Sequence, residues 1–364
     1  MTIEELDTPA VVVDLDILES NIKRMAEYCS EHHLRLRPHA KTHKSGVVAK
    51  MQLAAGACGV AVAKPDEAEV MAVAGIDDIL VAYPIVTPRK AARIAELAMR
   101  AKMRVALDSI EAIECLSVAA SERDVNIGIL LEIDIGFARC GVGTAEASIA
   151  LARAVEGKRG LRFDGLMFYP GHIKSPANEQ APLIEEVNRR LTSHYEAFAC
   201  AGIPVDVVSG GSTPTALQSH YFEGVTEIRP GMYVFLDRNM LTIGVGTQEQ
   251  CAISVLVTIV SNAVRSRAII DGGSKTFSSD PLSVGDHRGY GLVLEQPQAE
   301  VIGFSEEHGH LDTSRCTRAP RVGERLRILP NHVCATINMH DRVFGIRGDR
   351  VEQIIQIDAR GGVQ

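Results

Sequence analysis

Three segments of this 364-residue chain carry side chains suited to chemistry rather than packing. The first is Arg37-Pro-His-Ala-Lys-Thr-His-Lys44. Lys41 follows a short apolar run and sits among Arg37, His39, His43 and Lys44. Neighbouring cations and burial favour the neutral form of a lysine, the form that attacks a carbonyl carbon. The competing reading is a basic loop that merely attracts an anion. The second segment is Ser209-Gly-Gly-Ser-Thr-Pro-Thr215. Its glycines allow close backbone approach, Ser212 or Thr213 can cap a helix, and Pro214 suits a first helical turn. A helix N-terminus of that kind binds anions, phosphate above all. The competing reading is a plain capped turn. A phosphate cradle together with a reactive lysine points to pyridoxal 5′-phosphate held through Lys41. The third segment is Pro330-Asn-His-Val-Cys-Ala-Thr-Ile-Asn-Met-His-Asp341. His332 and Cys334 are two apart, so on a strand they share a face. Imidazole and thiolate suit Zn²⁺. Two ligands are an incomplete set, and a buried Cys beside a hydrogen-bonded His is the alternative. His340 and Asp341 either support such a site or form a turn.

These groups need elements to hold them. From about residue 20 to 245, short runs rich in Val, Ile and Leu alternate with amphipathic stretches such as 17–31 and 178–199. The runs lie at 34–39, 59–63, 78–83, 103–107, 127–134, 163–169, 205–209 and 226–234. Such alternation predicts parallel βαβ units, and eight of them predict an α/β (β/α)8 barrel. A doubly wound open sheet is the alternative, but no G-x-G-x-x-G turn follows the first strand. Barrel chemistry sits at the C-terminal strand ends. There the sequence places Lys64, then Glu132, Asp134 and Arg139, then Tyr169-Pro-Gly-His172, and finally Tyr233 and Asp237. Beyond 245 the runs at 251–260, 267–271, 299–303, 325–329 and 351–357 read as strands separated by turns. The expected division is a cofactor-binding barrel at 16–245 and a mostly β domain at 246–364, which carries the His-x-Cys motif and takes in segment 1–15. Periodicity alone leaves Ala10-Val-Val-Val-Asp14 open between the two.

Composition narrows the function. Forty-six acidic against 38 basic residues leave a formal charge of −8, contrary to the basic footprint of a nucleic-acid binder. There is no Trp and only 4% aromatic residues, which disfavours a base-stacking platform. The eight cysteines are scattered without the spacing of a disulfide framework, as in a reducing compartment. The first residues are acidic and lack the apolar core of a signal peptide. No apolar run approaches membrane-spanning length, and the last residues carry no lipidation motif. The expectation is a cytoplasmic protein that binds neither membrane nor nucleic acid.

The lysine motif, Arg139-Cys-Gly-Val142, Ser209-Gly-Gly-Ser-Thr213, Asp271-Gly-Gly-Ser-Lys275, Glu307-His-Gly309 and Pro330-Asn-His-Val-Cys334 together resemble the D-threonine aldolase and D-serine dehydratase family. These are fold type III pyridoxal-phosphate enzymes with an alanine racemase-like barrel. The resemblance runs from Thr8-Pro9 to Ala359-Arg-Gly361. It implies a homodimer, one pyridoxal 5′-phosphate and one divalent metal per subunit, Mn²⁺ or Zn²⁺, with Mg²⁺ a further option. It implies that Lys41 holds the cofactor, Arg139 meets its phenolate side and Tyr169 its ring nitrogen. Gly210, Gly211, Ser212 and Thr213 would take the phosphate, and Tyr233 and Asp237 would line the mouth. His332 and Cys334 would ligate the metal, and His172 or a metal-bound water would act as base. The implied reaction is retro-aldol cleavage of a D-β-hydroxy-α-amino acid, such as D-threonine, to glycine and an aldehyde. The alternative is D-serine or D-3-hydroxyaspartate dehydration to a 2-oxo acid and ammonia. A non-catalytic cofactor carrier and a racemase are more distant readings. Many of the aldolases carry His-x-Asp at the metal motif; His-x-Cys is the dehydratase form. The continuation Thr336-Ile-Asn-Met-His-Asp341 instead resembles the aldolases.

Overall fold

The computed structural model describes residues 1–282 and 289–364. Two compact units make up the chain. One comprises Arg24–Lys41, Gly46–Gly231 and Gly362–Gln364; the other comprises Met1–Lys23, Thr42–Ser45 and Met232–Gly361. The sequence placed the main boundary near 245, whereas the compact units change over at Gly231 and Met232.

Strand β1 (Ala10–Asp14) belongs to the second unit. The first unit holds β2 (Arg35–Leu36), β3 (Val60–Val62), β4 (Asp78–Val81), β5 (Lys102–Leu107), β6 (Ile127–Glu132), β7 (Leu161–Met167), β8 (Val207–Gly210) and β9 (Glu227–Ile228). They pair in parallel in the order β2-β9-β8-β7-β6-β5-β4-β3. The two ends of that order meet through a parallel bridge between His39 and Ala61, and the Ala61 N–H donates to Pro38 O at 2.8 Å. The expected eight-stranded parallel barrel is therefore present.

Alternation along each strand divides its residues between two environments. Outward side chains such as Ile79, Val81, Val105, Ile129 and Leu131 are fully buried in the core shared with the helices. The helix Pro88–Leu97 covers its share with Ala91, Ile94 and Ala95 and opens on Pro88, where a missing N–H costs nothing. Inward side chains form layers. Ala61, Leu80, Ala106, Leu130, Met167 and Val207 make an apolar ring. On its N-terminal side lie Arg37, Asp78, Arg104, Asp164 and Glu227, all linked by ion pairs. Glycine makes room for this layer. A Cβ on Gly59 would stand 2.5 Å from Arg37 Nη1, and one on Gly128 would run into the Asp164 carboxylate.

The second unit is built on a nine-stranded sheet. Its members after β1 are β10 (Ile253–Ser261), β11 (Arg267–Ile270), β12 (Gly291–Val293), β13 (Glu300–Phe304), β14 (Gly309–Asp312), β15 (Arg325–Pro330), β16 (Arg342–Arg347) and β17 (Arg350–Gln356). The order is β11-β14-β13-β12-β15-β10-β1-β16-β17. β1 pairs antiparallel with β10 and parallel with β16, which settles the segment that periodicity left open. Strands β12, β14 and β16 escape a sequence reading because they are short or interrupted by Gly and charged residues. No helix among the described residues is long and apolar enough to cross a membrane.

Candidate active site

The C-terminal ends of the barrel strands surround a cavity of about 270 Å³. Of the residues expected there, Lys41, Glu132, Arg139, Tyr169 and Gly211 line it. Lys41 lies in a short 3₁₀ turn, Ala40–Thr42, directly after β2. Tyr169 follows β7, and the Arg139 guanidinium lies 4.6 Å from the centre of its ring. The loop that carries Arg139 is held by Asp134, whose Oδ1 accepts the N–H groups of Gly136 and Ala138 at 3.0 Å each. Gly141 closes the loop at φ +103°, with its N–H on Asp108 Oδ2 at 2.8 Å. A Cβ there would meet the Ile133 carbonyl carbon at 2.6 Å.

Glu132 and Arg229 complete the wall. Glu132 is buried, and burial pushes its carboxyl above the usual range despite Arg139 at 3.6 Å and the charge of Arg229. Arg229 is buried too. Its Nη1 donates to Ser209 Oγ at 2.7 Å and its Nη2 to the Phe168 carbonyl at 2.8 Å. Burial lowers its pKa to about 10, against the pull of Glu227 and Glu132. Ser209 Oγ donates onward to Glu227 Oε1 at 2.7 Å, joining this wall to the ionic layer. The eighth apolar run continues to residue 234 and so masks Arg229 as a strand end in the sequence. β9 is only Glu227–Ile228, so Arg229 stands at its true end.

The phosphate segment departs from expectation. The helix after it is a six-residue 3₁₀ helix, Ala216–Tyr221, with Thr215 at its N-cap. Neither Ser212 nor Thr213 caps it, and so short a helix has no macrodipole to offer. Thr215 Oγ1 accepts the Ser212 N–H at 3.2 Å, and Thr213 Oγ1 accepts the Gly231 N–H at 3.2 Å. Four residues thus form a compact buried turn, of which Gly211, at φ +82°, reaches the cavity. A Cβ on Gly210 would collide with the Phe168 ring.

His172 does not line the cavity. Its ring lies 6.4 Å from that of Phe137, which packs edge-on against Tyr169. Its Nδ1 is buried without a hydrogen-bond partner among the described residues, and burial lowers its pKa.

The remaining expected residues lie in the second unit. Tyr233 is buried in a 3₁₀ turn, Met232–Val234. Asp237 caps the helix Arg238–Thr242 through the Met240 N–H at 2.9 Å, and its Oδ2 accepts the Val333 N–H at 3.0 Å. Burial pushes its carboxyl up to about 6. His332 and Cys334 are not on a strand. His332 is the N-cap of the helix Val333–Asn338 and Cys334 stands in its first turn. They still meet: a hydrogen bond with Cys334 is the main cause that raises the His332 pKa to about 9. Thr42 Oγ1 lies 3.3 Å from Cys334 Sγ. No third His, Cys, Asp or Glu completes a metal-holding group among the described residues. His340 Nε2 lies 2.9 Å from the Thr276 carbonyl, and Asp341 pairs with Arg360 at 3.1 Å.

The alanine racemase N-terminal domain matches residues 13–239, and a putative serine dehydratase domain matches residues 252–346. The chain is 38% identical over 356 residues to D-threo-3-hydroxyaspartate dehydratase of Delftia sp. (strain HT23), covering 92% of this chain and 93% of that protein. Its fold superimposes on a D-threonine aldolase from Filomicrobium marinum with a TM-score of 0.92 at 33% identity, over 99% and 98% of the two chains. A cysteine-to-alanine mutant of D-threo-3-hydroxyaspartate dehydratase, in the metal-free form, superimposes at 0.90 with 35% identity over 98% of each chain.

Proposed function

Since this chain belongs to the D-threonine aldolase and D-serine dehydratase family of fold type III pyridoxal-phosphate enzymes, we propose that it is a lyase that dehydrates D-β-hydroxy-α-amino acids. Water leaves across Cα–Cβ and is regained when the nitrogen is released, so the products are a 2-oxo acid and ammonia. One observation carries this reading. Lys41, the residue that would move the Cα proton, lines the cavity, whereas His172, which with a metal-bound water is one of two bases open to retro-aldol cleavage, is not among its lining residues. The Cys at the second position of the His-x-Cys motif supports it.

The barrel residues fit pyridoxal 5′-phosphate. Lys41, Arg139, Tyr169 and Gly211 converge on one cavity whose size lies near the lower end for small-molecule sites. When bound, the cofactor supplies an electron sink at the substrate's Cα. Lys41 would hold its aldehyde carbon and, once the substrate amine has replaced it there, would move the Cα proton at Nζ. Arg139 orients the phenolate side and Tyr169 the ring nitrogen. Of the four residues that the resemblance assigns to the phosphate, Gly210, Gly211, Ser212 and Thr213, Gly211 is the one that would meet it at the cavity. Arg229, fixed by Ser209 and Phe168, keeps a cation in the wall. His332 and Cys334 are the pair assigned to a divalent metal, Zn²⁺ or Mn²⁺. A metal of this kind acts as a Lewis acid toward a hydroxyl. The fit is partial, because catalytic zinc sites use three protein ligands and this pair supplies two.

The test supplies D-threonine with pyridoxal phosphate and either metal. The expected products are 2-oxobutanoate and ammonia. Acetaldehyde and glycine without 2-oxobutanoate would overturn dehydration in favour of retro-aldol cleavage, the reading that the Thr336–Asp341 continuation favours.

A further inference from the structure

Thr42 belongs to the lysine motif and has no part in the function above. It closes the 3₁₀ turn Ala40–Thr42, directly after Lys41, and falls in the second unit together with Cys334. Thr42 is buried. A buried hydroxyl without a partner is costly, so the atom it meets matters. That atom is Cys334 Sγ, 3.3 Å from Thr42 Oγ1 and at hydrogen-bond distance for sulfur. The hydroxyl on the cysteine's own helix is engaged elsewhere. Thr336 Oγ1 faces the carbonyls of Phe277 and His332, at 3.0 and 3.2 Å.

A cysteine that binds a divalent cation does so as the thiolate, without its proton. Of the two atoms in this contact only the threonine oxygen then carries a hydrogen, so Thr42 is the donor. A neutral hydroxyl is not among the protein groups that bind zinc, but a hydrogen bond to a ligand atom orients it and tunes its hold on the metal. His332 cannot take this part. Its own hydrogen bond with Cys334 is given up when both side chains bind one cation. We propose that Thr42 is a positioning residue for the Cys334 thiolate, and that its hydroxyl sets the affinity of the His332–Cys334 pair for a divalent cation. The assignment rests on the metal reading of that pair.

The pyridoxal-phosphate-loaded enzyme, freed of metal by dialysis against EDTA, is titrated with Zn²⁺ in a calorimeter. Thr42→Val keeps the shape of the side chain and removes the hydroxyl; Thr42→Ala removes both, and Thr42→Ser keeps the hydroxyl. Thr42→Val and Thr42→Ala should each weaken Zn²⁺ binding about 10–100-fold, the usual effect of losing such a partner, and Thr42→Ser should retain most of the affinity. Co²⁺ supplies a second readout, the sulfur-to-cobalt charge-transfer band in the difference spectrum on metal addition. This band should move to longer wavelength in Thr42→Val, because a thiolate without its donor gives up an electron more readily. A packing role alone would leave the band in place. Zn²⁺ affinity in Thr42→Val equal to that of the wild type, or an unmoved cobalt band, overturns the proposal. Cys334→Ala tests the premise. If it binds Zn²⁺ as tightly as the wild type, the metal reading fails and the proposal with it. If it loses Zn²⁺ while Thr42→Val does not, only the role of Thr42 fails.

Discussion

The two ends of one barrel use the same residue types in opposite ways. On the N-terminal side of the apolar ring, Arg37 is held between Glu227 and Asp78 at 2.8 and 2.7 Å, and Arg104 joins Asp78 to Asp164 at 3.1 and 2.7 Å. Burial alone would push these carboxyls up, yet the arginines hold Asp78, Asp164 and Glu227 below their usual ranges. At the C-terminal mouth the charges are loosely matched. Glu132 is pushed up by burial, Arg139 is 3.6 Å away and half-exposed, and Lys64 rests on a ring. A buried charge with a close partner is structural. A charge whose partner is distant or missing is available to a ligand. This agrees with the rule that barrel chemistry sits at the C-terminal face and stability at the other.

Lys41→Ala should have the largest effect. The visible absorbance of the bound cofactor should disappear and turnover should fall by at least about 10²–10⁴-fold, the usual contribution of a positioned proton-transfer group. Stability to urea should hardly change; an intact cofactor spectrum would contradict the assignment of Lys41. At the other end, Glu227→Ala should leave Arg37 buried beside a lost partner. The expected loss is about 3–5 kcal/mol in urea unfolding, and a loss under 1 kcal/mol would mean that the ionic layer is not structural.

Acid should separate the two ends as well. Asp164 is held low by Arg162 and Arg104 in spite of burial, so it binds its proton less readily folded than unfolded. Its contribution is present above its unfolded pKa of about 4 and is lost as pH falls through the lower folded value. Unfolding followed by circular dichroism should therefore steepen below about pH 4. Asp164→Asn should flatten that limb, and an unchanged limb would assign the acid sensitivity elsewhere. Ser209→Ala cuts the link between the ends and should cost about 1–2 kcal/mol, with a larger relative loss in kcat than in KM. The smallest effect belongs to His172→Asn. Turnover of D-threonine to 2-oxobutanoate should stay within about threefold, far from the loss expected of a general base. A loss above a hundredfold would return His172 to the chemistry.

Much of this was readable along the chain. The eight barrel strands stand out because a parallel sheet is covered on both faces, so runs such as Ile127–Glu132 are apolar throughout. Lys41 is marked by its place after β2. Shorter features were not readable. A two-residue β9 hid Arg229 and drew attention to Tyr233 instead. The turn at 209–215 leads to a 3₁₀ helix and not an α-helix, and Thr215, not Ser212, takes the N-cap position. Spacing of two suggested a strand for His332 and Cys334, but three residues are too few to show a period, and a helix begins between them.

Local periodicity was enough to establish a parallel barrel followed by a β-rich unit, with a lysine just beyond the C-terminal end of a strand. It was not enough to say which charges do chemistry. That depends on pairing, and the partners are far apart in the chain: Arg37 reaches Asp78 across 41 positions and Glu227 across 190. No local pattern encodes such distances. Only the closed barrel brings Arg37 to its carboxylates.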